Sequence, residues 1–190
     1  HAIWGLSQIS AKDKNALTPV RTLLTDKDAE VRAQAIKVLG DARVASDAGA
    51  LIASLKDENA RVKFFAAQGL GKLKHAAAAP ALLAALRANN NDDAHLRHAL
   101  VMGLVGGNNT AALSAAITEA SPAVRLGALL ALRRLKSGEV VKFLADSDPA
   151  ISREAALAIN DAPITAGYAA LAALLEKNPS DEPIAFRAIN

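Results

Sequence analysis

One short block recurs along the chain and constrains its fold more than any other feature. It reads AEVRAQAIKVLG at Ala29–Gly40, ARVKFFAAQGLG at Ala60–Gly71, AHLRHALVMGLV at Ala94–Val105, AVRLGALLALR at Ala123–Arg133 and AISREAALAIN at Ala150–Asn160. The anchoring aliphatic residues are Val31, Val62, Leu96, Val124, Ile151 and Ile184, about thirty residues apart, a period typical of helical-repeat arrays. Eight residues past an anchor stands a second aliphatic, Leu39, Leu70, Leu104, Leu132 or Ile159, and Leu6 fills that slot in a first, truncated copy. Midway between them the residue is small (Ala2, Ala35, Ala66, Ala128, Ala155, Ala188), with Leu100 the exception. Such offsets fall on one face of an α-helix, and a small residue at the centre of that face lets a neighbouring helix approach closely.

These blocks are the second helices of helical hairpins. First helices are predicted over Ala16–Thr25, Asp47–Lys56, Ala79–Ala88, Thr110–Glu119, Gly138–Ala145 and Ala166–Lys177. The loops between carry Asp26 and Asp28, Asp57 and Asn59, Asn89 to Asp93, Ser121-Pro122 and Asp148-Pro149. Asp, Asn and Ser cap free amide groups at a helix entrance, and Pro suits the first helical turn. Composition agrees: 52% of residues are hydrophobic but only 3% aromatic, and a core rich in Ala and Leu favours packed helices over strands.

The repeated acidic loop, followed by Val-Arg and then by Ala and Leu at helical spacing, resembles the short bacterial variety of HEAT repeat over all 190 residues. The resemblance implies an all-α, right-handed α-solenoid of about six hairpins, a single domain over 1–190, because units that cannot bury their apolar faces alone must stack. The sequence begins and ends inside second helices, at His1-Ala2-Ile3 and Ala188-Ile189-Asn190, without polar capping repeats. A segment excised from a longer protein is expected.

A basic residue follows the anchor as Arg32, Lys63, Arg97 and Arg125, while Ser152 interrupts the series. Either this ladder binds anions or each cation pairs with a loop acid of its own or the adjacent repeat, Asp26, Asp57, Asp92 and Asp146 standing at similar offsets; the structural alternative is favoured. His95 and His98 share one side of a helix, but a metal site needs three or four ligands, and Asp92 and Asp93 are more simply loop caps. Gly103, Gly106 and Gly107, with Asn108-Asn109 after them, are expected to terminate a helix. No triad motif, phosphate loop or cysteine is present, so no catalytic, cofactor or metal residue is assigned and the chain is expected to be non-enzymatic. The charges, 22 Lys+Arg against 19 Asp+Glu, are interspersed, unlike the basic stripe of a nucleic-acid binder. No apolar run reaches the roughly 18 to 20 residues that span a bilayer.

Opposite the core face, second-helix positions two and six past the anchor read Trp4; Ala33 and Lys37; Phe64 and Gln68; His98 and Met102; Leu126 and Leu130; Arg153 and Leu157; Phe186 and Asn190. A solvated ridge should be polar, and this one is substantially apolar. In solenoids second helices line the concave face, so the expected docking strip is Trp4, Lys37, Phe64, Gln68, His98, Met102, Leu126, Leu130, Arg153, Leu157 and Phe186. Alternatively, superhelical curvature buries these positions between repeats.

HEAT-like iron hydroxylases use His-Glu pairs, which are lacking here, and the glycosylase-like members line a groove with aromatic and basic residues, whereas this chain has one Trp and one Tyr. Phycobilin-lyase subunits share the repeat, and a ligand-handling relative of lyase or glycosylase kind stays open. DPAISREAALAINDAPI at Asp148–Ile164, AALAALL at Ala169–Leu175, the terminal DEPIAFRAIN and the opening HAIWGL resemble the HEAT region of large bacterial membrane-bound dehydrogenases or haem-binding proteins. That resemblance implies a β-propeller before the repeats, a cytochrome c module after them, a periplasmic or otherwise exported location, and a scaffold that contacts those modules or another protein. Without Cys-x-x-Cys-His the segment cannot hold haem covalently, and no cofactor is expected.

Overall fold

The computed structural model describes residues 2–177, and every regular element among them is a helix. In chain order the α-helices are α1 (Ala2–Ser10), α2 (Thr18–Thr22), α3 (Ala29–Ala42), α4 (Ala48–Ser54), α5 (Ala60–Lys72), α6 (Ala79–Asn89), α7 (Ala94–Gly107), α8 (Thr110–Ala115), α9 (Pro122–Arg134), α10 (Pro149–Asp161) and α11 (Tyr168–Lys177). Helices α1, α3, α5, α7, α9 and α10 are the second helices. The first helices are shorter and are extended by 3-10 turns such as Leu23–Thr25, Ala45–Asp47 and Ala116–Thr118. The anchor Ile184 and the small residue Ala188 lie outside the described residues.

Second helices start where the loops supply a cap. Asp28 accepts the Glu30 amide, Asn59 those of Arg61 and Val62, Asp93 those of His95 and Leu96, and Asp148 that of Ala150. Each such cap stabilises its helix by about 1 kcal/mol. Ser121 makes no side-chain cap, and Pro122 begins α9 instead, its missing N–H costing nothing at that position. At the other end the chain turns through left-handed residues: Arg43, Lys74, Asn108 and Lys136 have φ of 53°, 54°, 50° and 52°. After α5 and α9 this turn closes with amides of His75 and Ser137 donating to the carbonyls of Leu70 and Leu132.

The stretch Gly138–Ala145, predicted as a first helix, is 3-10 throughout. With three residues per turn, Val140 and Phe143 align on one face, and both are fully buried. Over so short a span, that spacing serves either helix type.

The chain divides into two compact units, His1–Asn108 and Asn109–Asn190. In the first, the repeat positions Ala35, Leu39, Val62, Ala66, Leu70, Leu96, Leu100 and Leu104 are buried together with Leu17, Leu51, Leu82 and Leu86 of the first helices. In the second, Val124, Ala128, Leu132, Ile151, Ala155 and Ile159 are buried with Leu113, Val140 and Phe143. Truncating any of the buried leucines to alanine should cost about 2–5 kcal/mol.

Glycines set the helix spacing in the first unit, correcting the expectation that Gly103 and Gly106 merely end a helix. Both lie within α7, whose left-handed exit residue is Asn108. A Cβ on Gly106 would come 2.5 Å from the Gly71 Cα, and one on Gly103 would come 2.8 Å from the Ala67 carbonyl oxygen, both on α5. Where Leu100 replaces the central alanine, α7 therefore approaches α5 through glycine. Gly40 of α3 meets Gly69 of α5 in the same way, at 2.7 Å from a built Cβ to the Gly69 Cα. No helix among the described residues is long and apolar enough to cross a membrane.

Candidate functional site

The basic ladder resolves into rungs of different kinds. Arg32 forks onto Asp57 of the following copy, Nε to Oδ2 at 2.8 Å and Nη2 to Oδ1 at 3.0 Å, while Nη1 donates to the Asp26 carbonyl at 2.8 Å. Arg125 repeats the arrangement on Asp146 at 2.9 and 3.1 Å, with Nη1 on the Glu119 carbonyl at 2.8 Å. Each acid also accepts a loop amide, from Asn59 or Asp148, at 2.8 Å. The Arg32 guanidinium, aided by that amide, holds the Asp57 carboxyl below the usual carboxylate range against the opposing effect of burial. With four of its five N–H donors engaged, each of these cations offers little to an outside anion.

The other positions differ. Arg97 stays within its own loop, with Nη1 at 3.5 Å from Asn91 Oδ1 and not on Asp92. Lys63 has no carboxylate within ion-pair distance among the described residues and senses Asp57 and Asp93 only at longer range. Ser152 donates its hydroxyl to the Leu144 carbonyl at 2.7 Å, so it satisfies a carbonyl near the end of the Gly138–Ala145 3-10 stretch, without an arginine's charge. Sequence reasoning missed the bridge from Arg21 to the buried Asp47 at 2.6 Å, because neither residue stands at a fixed offset from an anchor.

On the outer face of the second helices in the first unit, Trp4 is 66% exposed. Its indole N–H lies 3.5 Å from Gln34 Oε1, Gln34 donates to Glu30, and Glu30 pairs with Arg61 at 3.2 Å. The Arg61 guanidinium stands 5.3 Å over the Phe65 ring, which meets Phe64 edge-on at 5.5 Å. Lys37 pairs with Asp41, which also accepts Lys72; burial is the largest single influence on the Asp41 carboxyl and pushes it up, but the two lysines together hold it below its usual range. Lys37, Phe64, Gln68 and Met102 are half-buried and His98 is exposed, whereas Ala33 is fully buried.

In the second unit Leu126, Leu130 and Leu157 are half-buried and Arg153 is exposed. Arg133 braces α9 to α10 through Glu154 at 2.6 Å and Asp161 at 3.0 Å. Phe186 lies outside the described residues. The glycine contacts bring α3, α5 and α7 close together, and the ridge residues Lys37, Phe64, Gln68 and Met102 on these helices are half-buried. Sequence reasoning missed Gln34, Glu30, Arg61 and Phe65, since it followed only two offsets per helix.

His95 and His98 are both exposed, and His95 Nδ1 is 3.9 Å from Asp93 Oδ1. Asp93 is engaged as a cap, and the amides of Leu96, first, and His95 keep its carboxyl below the usual range. Among the described residues no group of three metal-binding side chains occurs.

Residues 22–105 match the family model for HEAT repeats. None of the curated protein sequences compared with the chain matches it significantly. Among solved structures, the chain is similar to an archaeal HEAT-like repeats protein from Thermococcus onnurineus NA1, at 15% identity and a TM-score of 0.59, over 98% of this chain and 89% of that one. It is also similar to a chain from the complex of CpcE and CpcF of phycocyanin lyase from Nostoc sp. PCC7120, at 23% identity and a TM-score of 0.52, over 99% and 85% of the two chains. A third similar chain comes from a structure concerned with microtubule plus-end tracking by XMAP215, CLIP-170 and EB1, at 18% identity and a TM-score of 0.65, over 90% and 88%. These likenesses show the fold, an all-helical array of HEAT-like hairpins.

Proposed function

We propose that this chain is a non-catalytic scaffold that docks a protein or a neighbouring domain on the outer ridge of its second helices. The observation that carries the proposal is Trp4, the single tryptophan of the sequence, 66% exposed on α1 with Ile9 of the same helix 56% exposed. A large aromatic held at the surface gains most from being covered, and tryptophan is enriched among the residues that dominate interface energetics. In the first unit the half-buried Phe64 and Met102 add to the apolar character, and in the second unit the half-buried Leu126, Leu130 and Leu157 supply apolar side chains of their own.

The resemblance of the segments at the two ends supports a place within an exported dehydrogenase or haem-binding protein. In that setting the partners are the β-propeller and cytochrome c modules, the location is periplasmic, and any redox chemistry belongs to residues outside this chain.

A single tryptophan makes the test direct. With 5-fluorotryptophan incorporated, the chain should give one 19F resonance that shifts on addition of an unlabelled flanking module, and Leu126→Asp with Leu130→Asp should weaken binding without unfolding the chain. A resonance that does not move, with binding equal in the double variant, would overturn the reading. A metal or a visible chromophore that copurifies in stoichiometric amount would point instead to the ligand-handling alternative, a protein of the phycobilin-lyase or DNA-glycosylase kind.

A further inference from the structure

The irregular rung at Lys63 coincides with a cavity. Between α4 and α6 lies a pocket of about 300 Å³, with Ile52, Leu55, Ala81, Ala84, Ala85 and Ala88 among its walls, Leu96 also lining it, and Lys63 as a half-buried cation. At the Arg32 and Arg125 rungs the ladder position is an arginine forked onto the acid that stands five residues before the next anchor, Asp57 and Asp146. At the Lys63 rung both halves of the pair change: the cation is lysine, and the residue five before Leu96 is Asn91, which faces the side chain of Arg97 instead. Among the described residues no carboxylate replaces it within ion-pair distance of the Lys63 ammonium.

We propose that this pocket binds an aliphatic monocarboxylate, whose headgroup supplies at Lys63 the carboxylate that the Arg32 and Arg125 rungs carry internally. The alkyl chain lies along the alanine face of α6, where small side chains leave room, and against Ile52 and Leu55 of the facing helix segment. Asp57, at the same end, is neutralised by Arg32 and does not repel the ligand as a lone acid would. The volume stands at the lower end of small-molecule pockets, which start near 300 Å³, so the ligand is of medium chain length.

The test is titration of the chain with octanoate, followed by calorimetry and by thermal unfolding. Saturable binding that raises the melting temperature is expected, with octanol and octylamine binding more weakly. Lys63→Met keeps the stem and removes the charge; it should weaken octanoate roughly tenfold or more, the loss that follows from one charge-assisted hydrogen bond, and leave octanol unaffected. Ala85→Phe should fill the pocket and weaken both. Absence of saturable binding, octanol binding as tightly as octanoate, or octanoate affinity unchanged in Lys63→Met with the circular dichroism of the native chain would each overturn the proposal.

Discussion

Gly71 and Gly106 face each other across α5 and α7 so closely that a Cβ on Gly106 would stand 2.5 Å from the Gly71 Cα and 2.6 Å from its carbonyl carbon. The obstructing atoms are backbone, so the helices themselves must separate to admit a side chain. Gly106→Ala should therefore destabilise the chain by about 1–3 kcal/mol, the usual cost of overpacking. Gly49 provides the contrast: it lies in α4 with nothing within 4 Å of a built Cβ, and Gly49→Ala should stabilise by about 0.5–1 kcal/mol. Urea unfolding of the two variants checks both signs; destabilisation by Gly49→Ala, or none by Gly106→Ala, would contradict the packing.

The buried and the exposed bridges should respond differently. Asp146 is 1% exposed and Arg125 9%, so Asp146→Asn leaves a buried guanidinium without its counter-charge, at a cost of about 3–5 kcal/mol. Asp41 binds Lys37 and Lys72 at the surface, where such pairs contribute about 0–1 kcal/mol. Denaturant midpoints of Asp146→Asn and Asp41→Asn should differ accordingly, and 1 M salt should narrow the effect of the second only.

Acid should weaken the chain partly through Asp57. Its carboxyl is lowered mainly by the Arg32 hydrogen bonds, so below the ordinary aspartate value of about 3.9 the unfolded state takes up a proton before the folded one. The stabilisation is complete above that value and is lost as the pH falls through the lowered one. Asp57→Asn should reduce stability at neutral pH and flatten its decline below about pH 4, as measured by urea midpoints across the range. An unchanged slope would show that the carboxylate is not linked to folding.

Lys74 occupies a left-handed conformation at the exit of α5, with φ of 54°. Left-handed backbone costs an L-residue about 1–2 kcal/mol, and glycine avoids that cost while losing more freedom on folding. Lys74→Gly should gain about 0.5–1 kcal/mol on balance, and Lys74→Ala should gain nothing because it keeps a Cβ. Thermal melts of the pair separate backbone relief from loss of the side chain.

The helical framework was legible because its signals are local. The anchor Val62 with Ala66 and Leu70 follows the helical period, and Asp28 or Asn59 announces a helix start through the chemistry of its own side chain. What escaped depends on a partner distant in sequence. A glycine near a helix end reads the same whether it ends the helix or receives a neighbour, and only the approach of α5 decides between them for Gly106. The ladder was visible as a series of cations, but that Arg32 chooses Asp57 while Lys63 finds no acid follows from side-chain reach and loop course. The apolar ridge was legible as a composition, not as a degree of exposure: Ala33 vanished into the core while Trp4 remained in solvent.

Arg32 reaches forward to Asp57 and Arg125 to Asp146, so each completed rung takes its cation from one copy and its acid from the next. The joints are therefore directional, and the copies are not interchangeable bricks. A duplicated copy carrying Asp57 would be accommodated behind the Arg32 copy but not behind the Lys63 copy, where lysine cannot reproduce the two-pronged grip. Any shuffled or lengthened array made from this chain has to match charges at the joints that carry an arginine fork, and chemistry constrains the order of those copies.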